Sequence, residues 1–81
     1  MTTKDRLKEW LNEPRIENPT HMLVVCDTFD YEDYPVYVSK DQDVNEVYAK
    51  YHGRNMQKVM EVYDYSKDLE AQLNGDRVFN F

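Results

Sequence analysis

Residues 22–39 read MLVVCDTFDYEDYPVYVS, and the way this stretch divides decides the fold. Met22 to Thr28 (MLVVCDT) is short, apolar and β-branched, which predicts a strand. Phe29 to Asp33 is polar and acidic enough to turn. Tyr34 to Ser39 (YPVYVS) predicts a second strand, with Pro35 at a strand start or on an edge because it lacks a backbone donor. Together the two runs predict a β-hairpin with a five-residue connection.

Downstream, Asp43 opens a helix. Its carboxylate can cap, Glu46 three residues later completes a capping box, and Val44, Val47, Tyr48 and Tyr51 recur at i, i+3, i+4 and i+7. Gly53 supplies the stop. Met56 to Tyr65 fits two patterns. Met56, Val59, Met60 and Tyr63 make a helical stripe, but the stripe does not continue at Lys67 and Glu70, so a strand is expected. A last helix is expected from a Ser66 cap through Leu69 and Leu73 to Gly75. Arg77 to Phe81 (RVFNF) reads as a short edge strand or a tail folded back on the core.

Upstream, residues 3–12 form an amphipathic helix capped by Thr2 or Thr3, with Leu7, Trp10 and Leu11 on one face. Pro14 and Pro19 keep the segment from Asn12 to Thr20 extended or turning. This divides the chain into an N-terminal helix and proline-containing arm, residues 1–20, and a core, residues 21–81. The expected class is a small α+β domain: a three- or four-stranded, mainly antiparallel sheet packed by two helices, plus the N-terminal helix. An isolated ten-residue helix is marginal in water, so the Leu7/Trp10/Leu11 stripe must dock. It docks either on its own core or on a second copy.

Eighty-one residues make one domain that buries only about 60% of its unfolded surface. The chain is 41% hydrophobic and 14% aromatic, enough for a core. Cys26 is the single cysteine, so no internal disulfide forms, and the opening MTTKDRLKEW lacks the apolar core of a signal peptide. The longest apolar run, Met22 to Cys26, is far short of a bilayer span. A cytoplasmic protein is the expectation, with no membrane association.

The formal charge of −6 sits in one quarter of the chain. Between Asp27 and Glu46 stand seven acids and one base, Lys40, while the remaining 61 residues hold nine of each. Such a balance disfavours direct nucleic-acid binding, which attracts Lys and Arg. Phe29, Tyr31, Tyr34, Tyr37 and Tyr48 are interleaved with the acids. The stretch Asp41, Asp43, Asn45 resembles the start of an EF-hand loop, but Glu46 stands where that loop needs glycine and His52 where it needs a bidentate Glu. No metal or cofactor site is expected. Cys26 lies in an apolar run, and there is no phosphate loop, CxxC, HExxH or GxSxG, so no enzyme is expected.

The expected function is a small acidic protein-binding module, a regulator or inhibitor of the style found in phages and mobile elements. It would dock Asp30, Tyr31, Glu32, Asp33, Tyr34 and Asp41 on a partner with a basic surface, with carboxylates standing in for nucleic-acid phosphates in the sharpest version. Solvated acids around a packed hairpin are the ordinary alternative. The second reading is an assembly subunit that self-associates, as a homodimer, through Leu7, Trp10, Leu11 and the C-terminal segment. Lys50, Arg54 and Lys58, with His52 among them, would supply a basic counter-surface.

Overall fold

The computed structural model describes residues 3–53, 56–75 and 78–81. Thr2, Arg54 and Arg77, read above as a candidate cap, a base of the counter-surface and the start of the C-terminal segment, lie outside the described residues. The element order is α1 (Lys4–Asn12), β1 (Pro19–Asp27), β2 (Glu32–Ser39), α2 (Val44–Tyr51), β3 (Gln57–Asp64) and α3 (Leu69–Leu73). The three strands form an antiparallel sheet in the order β2-β1-β3, so the described residues make an α+β domain with a three-stranded sheet and three helices. No helix among the described residues is long and apolar enough to cross a membrane.

The unbroken apolar run of β1 follows from its central position. Side chains alternate between the faces of a strand. Met22 and Val24 pack with Leu7, Leu11, Tyr63 and Leu73, on the side of α1 and α3. Leu23 and Val25 pack with Val38, Val47, Val59 and Val62, on the side of α2. Antiparallel sheets commonly leave one face wet and then alternate apolar with polar. Here helices cover both faces, so Met22 through Cys26 are all buried. A bulge between Val24 and Val25 skips Met60 of β3, which turns towards the α1–α3 layer.

α1 docks on this core through its own residues. Leu7 and Leu11 are 6% and 3% exposed, and Trp10 is half-buried against them. Thr3 Oγ1 accepts from Arg6 N at 3.3 Å, so Thr3 is the cap. At the other end, the Tyr37 hydroxyl donates to the Trp10 carbonyl at 2.6 Å and the Tyr65 hydroxyl to the Leu11 carbonyl at 2.9 Å. Carbonyls in the last turn of a helix have no partner within it, and Tyr37 of β2 and Tyr65 just past β3 supply one each. Burial pushes both phenols above their ordinary value, which keeps them protonated as donors.

Several boundaries differ from expectation for local reasons. β1 starts at Pro19, because Thr20 already joins the sheet: its hydroxyl reaches the Val38 carbonyl at 3.3 Å and its carbonyl accepts from Tyr65 N at 3.0 Å. The hairpin connection is four residues, Thr28 to Tyr31, because Glu32 pairs with Asp27 and Asp33 with Cys26. Asp43 does cap α2, but its carboxylate accepts from Asn45 N at 2.9 Å, one residue short of the Glu46 amide of a capping box. α3 is capped by Asp68, through Glu70 N and Ala71 N, because Ser66 is held by the carboxylate of Asp64. Asp43→Ala is expected to cost about 1 kcal/mol, the usual value of an N-cap, read as a lower urea midpoint at unchanged slope.

The two outer strands are finished differently. On β3, Val62 N donates to the Val78 carbonyl at 2.7 Å and its carbonyl accepts from Asn80 N at 3.0 Å, around a single parallel bridge to Phe79. The C-terminal segment is therefore a tail laid on the sheet edge rather than a fourth strand. β2 is the other edge. Pro35 removes one donor from it, and Ser39 N bonds Gln42 Oε1 at 3.0 Å, both of which discourage pairing with another sheet.

Candidate functional site

One end of the sheet gathers Asp27, Asp30, Glu32 and Asp33 from the acidic quarter of the sequence. Asp27 Oδ1 accepts from Phe29 N at 2.8 Å, and Tyr31 N donates to the Asp27 carbonyl at 2.6 Å, closing the β1–β2 loop. Tyr31 must take a left-handed φ of 57° to re-enter β2. The turn into β3 lies alongside: Thr28 donates to the Met56 carbonyl from both its amide and its hydroxyl, each at 2.7 Å. Met56 also has a left-handed φ, 59°. Such conformations cost a bulky residue of order 1–3 kcal/mol and cluster at functional sites.

The residues so presented are apolar. Phe29 is 72% exposed, Tyr31 77% and Met56 59%, which makes them three of the five large hydrophobics left in water among the described residues. Asp30 belongs to the same loop and Glu32 to the exposed start of β2. Asp33 is half-buried beside Cys26, its partner across the ladder. Lys58 is the base on the facing end of β3.

Two expected members do not join this end. Tyr34 turns its ring to the α2 layer among Leu23, Val25 and Val59, and its hydroxyl accepts from Gln57 Nε2, so it packs rather than presents. Asp41 lies beyond the far end of β2, a strand of eight residues that spans about 23 Å. It lines a separate shallow cleft with Asp43, Glu46 and Lys50 at the start of α2. The single acidic block of the sequence is therefore split by β2 into two groups.

Phe29 and Met56 are what the sequence reading left out of the site. Phe29 was visible as an unpaired aromatic in a loop. Met56 carried no such signal, since only the antiparallel β1–β3 ladder brings it beside the hairpin.

Among the remaining candidates, Leu7 and Leu11 are spent on the chain's own core, which leaves half-buried Trp10 with Arg6 stacked 5.4 Å from its ring. The Cys26 thiol is pushed up by burial, then by the hydrogen bond and charge of Asp33, which lowers its thiolate content and its nucleophilicity. His52 Nδ1 accepts from Val59 N at 3.2 Å and its ring stacks on Tyr48. No group of three or more His, Cys, Asp or Glu among the described residues is arranged to hold a metal ion. No family model matches this chain, and neither the curated proteins nor the solved structures offer a match.

Proposed function

We propose that this chain is a small protein-binding module that docks the β1–β2 end of its sheet on a basic partner surface, as a regulator or inhibitor. The observation that carries the reading is the collection of Phe29, Tyr31 and Met56, all exposed, with Asp30, Glu32 and Asp33 at one end of the sheet. Interfaces are dominated by a few aromatic and apolar anchors within a polar rim. Carboxylates around such anchors steer encounter with a basic surface and reject acidic ones. In a nucleic-acid-handling partner they would occupy the groove that otherwise takes phosphates.

Two substitution sets separate anchors from rim. Tyr31→Gly relieves a left-handed φ, so the variant should fold at least as well as the parent. Phe29→Ser and Met56→Ser should move stability by about 0.5 kcal/mol or less. Combined, the three are expected to weaken binding of a captured partner by more than about 30-fold, mainly in dissociation rate. Neutralising Asp30, Glu32 and Asp33 to their amides should instead slow association and flatten its salt dependence. Calorimetry or surface plasmon resonance against a partner isolated from the host at low salt reads both effects. Undiminished binding by both sets of variants would refute the assignment of this end.

A further inference from the structure

At the opposite end of β1, His21 faces Asp64 across the ladder to β3. Its Nε2 is buried without a hydrogen-bond partner and lies 3.8 Å from Asp64 Oδ2. Its Nδ1 is 3.0 Å from Thr20 Oγ1. The Thr20 hydroxyl in turn reaches the Val38 carbonyl of β2. We propose that His21 is a proton-operated clamp: the doubly protonated ring bonds Thr20 and Asp64 together, so that mild acid tightens this end of the sheet.

A count of protons supports it. A neutral imidazole has one N–H. With that proton on Nδ1, Thr20 is satisfied and can serve Val38, but the Nε2 lone pair faces a carboxylate oxygen. With it on Nε2, the proton faces Asp64 Oδ2 across 3.8 Å, but Thr20 must turn its single proton away from Val38. Only the imidazolium satisfies Thr20, Val38 and Asp64 at once, and a buried polar atom left unpaired calls for such an explanation.

The surroundings hold Asp64 ready. Ser66 N and Oγ bind Oδ1 at 2.8 and 2.7 Å, leaving Oδ2 for His21. Burial alone pushes the Asp64 carboxyl up, but the Ser66 hydrogen bonds, then His21 and Lys67, bring it below its ordinary value. The carboxylate therefore persists in mild acid. The groups around the ring are Thr20 on β1, the Val38 carbonyl on β2, and Asp64, Tyr65 and Ser66 at the end of β3. Phe81 of the C-terminal segment lines the same open cleft of about 500 Å³, and the ring of Tyr48 on α2 meets Phe81 edge-on.

The sign follows from linkage. A bond made only by the charged ring adds stability where the ring is doubly protonated and is lost as pH rises. The melting temperatures of the parent, His21→Gln and Asp64→Asn chains at pH 7.5 and 5.5 test it. The deficit of His21→Gln should widen by about 4–8 °C at pH 5.5, roughly the effect of a fivefold change in folding equilibrium. In an Asp64→Asn background the widening should vanish.

Should His21→Gln fold poorly, nitrogen NMR of the parent chain reads the same state. At pH 5.5 the His21 ring should carry protons on both nitrogens, with a slowly exchanging Nε2 proton. An equal deficit at both pH values, a widening that survives Asp64→Asn, or a singly protonated His21 at pH 5.5 would overturn the clamp.

Discussion

Leu23→Ala is expected to remove about 2–5 kcal/mol of stability, the range measured when a fully buried leucine is cut back to alanine. Leu23 has no exposed surface, and it sits in the middle of the central strand with Val25, Val38, Val47, Val59 and Val62 packed around it. The cost is large because the cavity cannot collapse. β1 is tied on both sides by ladders to β2 and β3, so the backbone cannot move into the space. Domains of this length are stable by only about 4–12 kcal/mol in total. The variant should therefore show a much lower urea midpoint with unchanged slope, or be partly unfolded in buffer. A loss below about 1 kcal/mol would mean that the α2 layer is not packed against this face.

Gln72→Leu is expected to cost about 1–3 kcal/mol, although it exchanges a polar side chain for an apolar one of similar size in a buried position. Gln72 is 7% exposed. Its Oε1 accepts from Asp64 N at 2.8 Å and its Nε2 donates to the Asp64 carbonyl at 2.9 Å. The side-chain amide thus does for Asp64 what a residue of a neighbouring strand would do. It completes the edge of β3 just past the point where the C-terminal segment serves Val62. Asn80 Nδ2 also reaches Gln72 Oε1 at 2.9 Å, joining α3, β3 and the C-terminal segment. Leucine would leave the buried Asp64 N–H unpaired, at about 1–3 kcal/mol, and would leave the Asp64 carbonyl to Lys67 N alone, at 3.2 Å. Hydrogen exchange should show the Asp64 amide losing protection ahead of the β1 amides. Retained protection would assign the edge to another partner.

Both predictions bear on the proposed site, because the docking end is only as rigid as the sheet that carries it. Tyr31 and Met56 hold left-handed backbone that the ladders of β1 must enforce. A loosened core would be expected to let both relax, and binding would fall without any change at the contact surface. Phe29, Tyr31 and Met56 should accordingly be tested in chains whose unfolding midpoint matches the parent.

Local pattern was enough for the elements themselves. The apolar run Met22–Cys26 made β1, the Asp43 cap and the Val44/Val47/Tyr48/Tyr51 spacing made α2, and the missing stripe at Lys67 and Glu70 turned residues 57–64 into a strand. Each rests on interactions between residues a few positions apart, or on a side-chain period that burial imposes. Of the site, Asp30, Tyr31, Glu32 and Asp33 were legible because they are neighbours in the chain.

What depended on distant residues was decided only by the tertiary structure. Asp41 looked continuous with the acidic block, but an intervening eight-residue strand carries it to the other end of the sheet. Tyr34 could face either side of β2, and its register opposite Val25 turned it inward. Met56 beside Phe29, Gln72 on the edge of β3, and His21 across from Asp64 all follow from how β1 and β3 pair. A sequence states which groups are present and how nearby ones are spaced. Pairing register, by contrast, is fixed where buried area and backbone hydrogen bonds are satisfied together over the whole sheet.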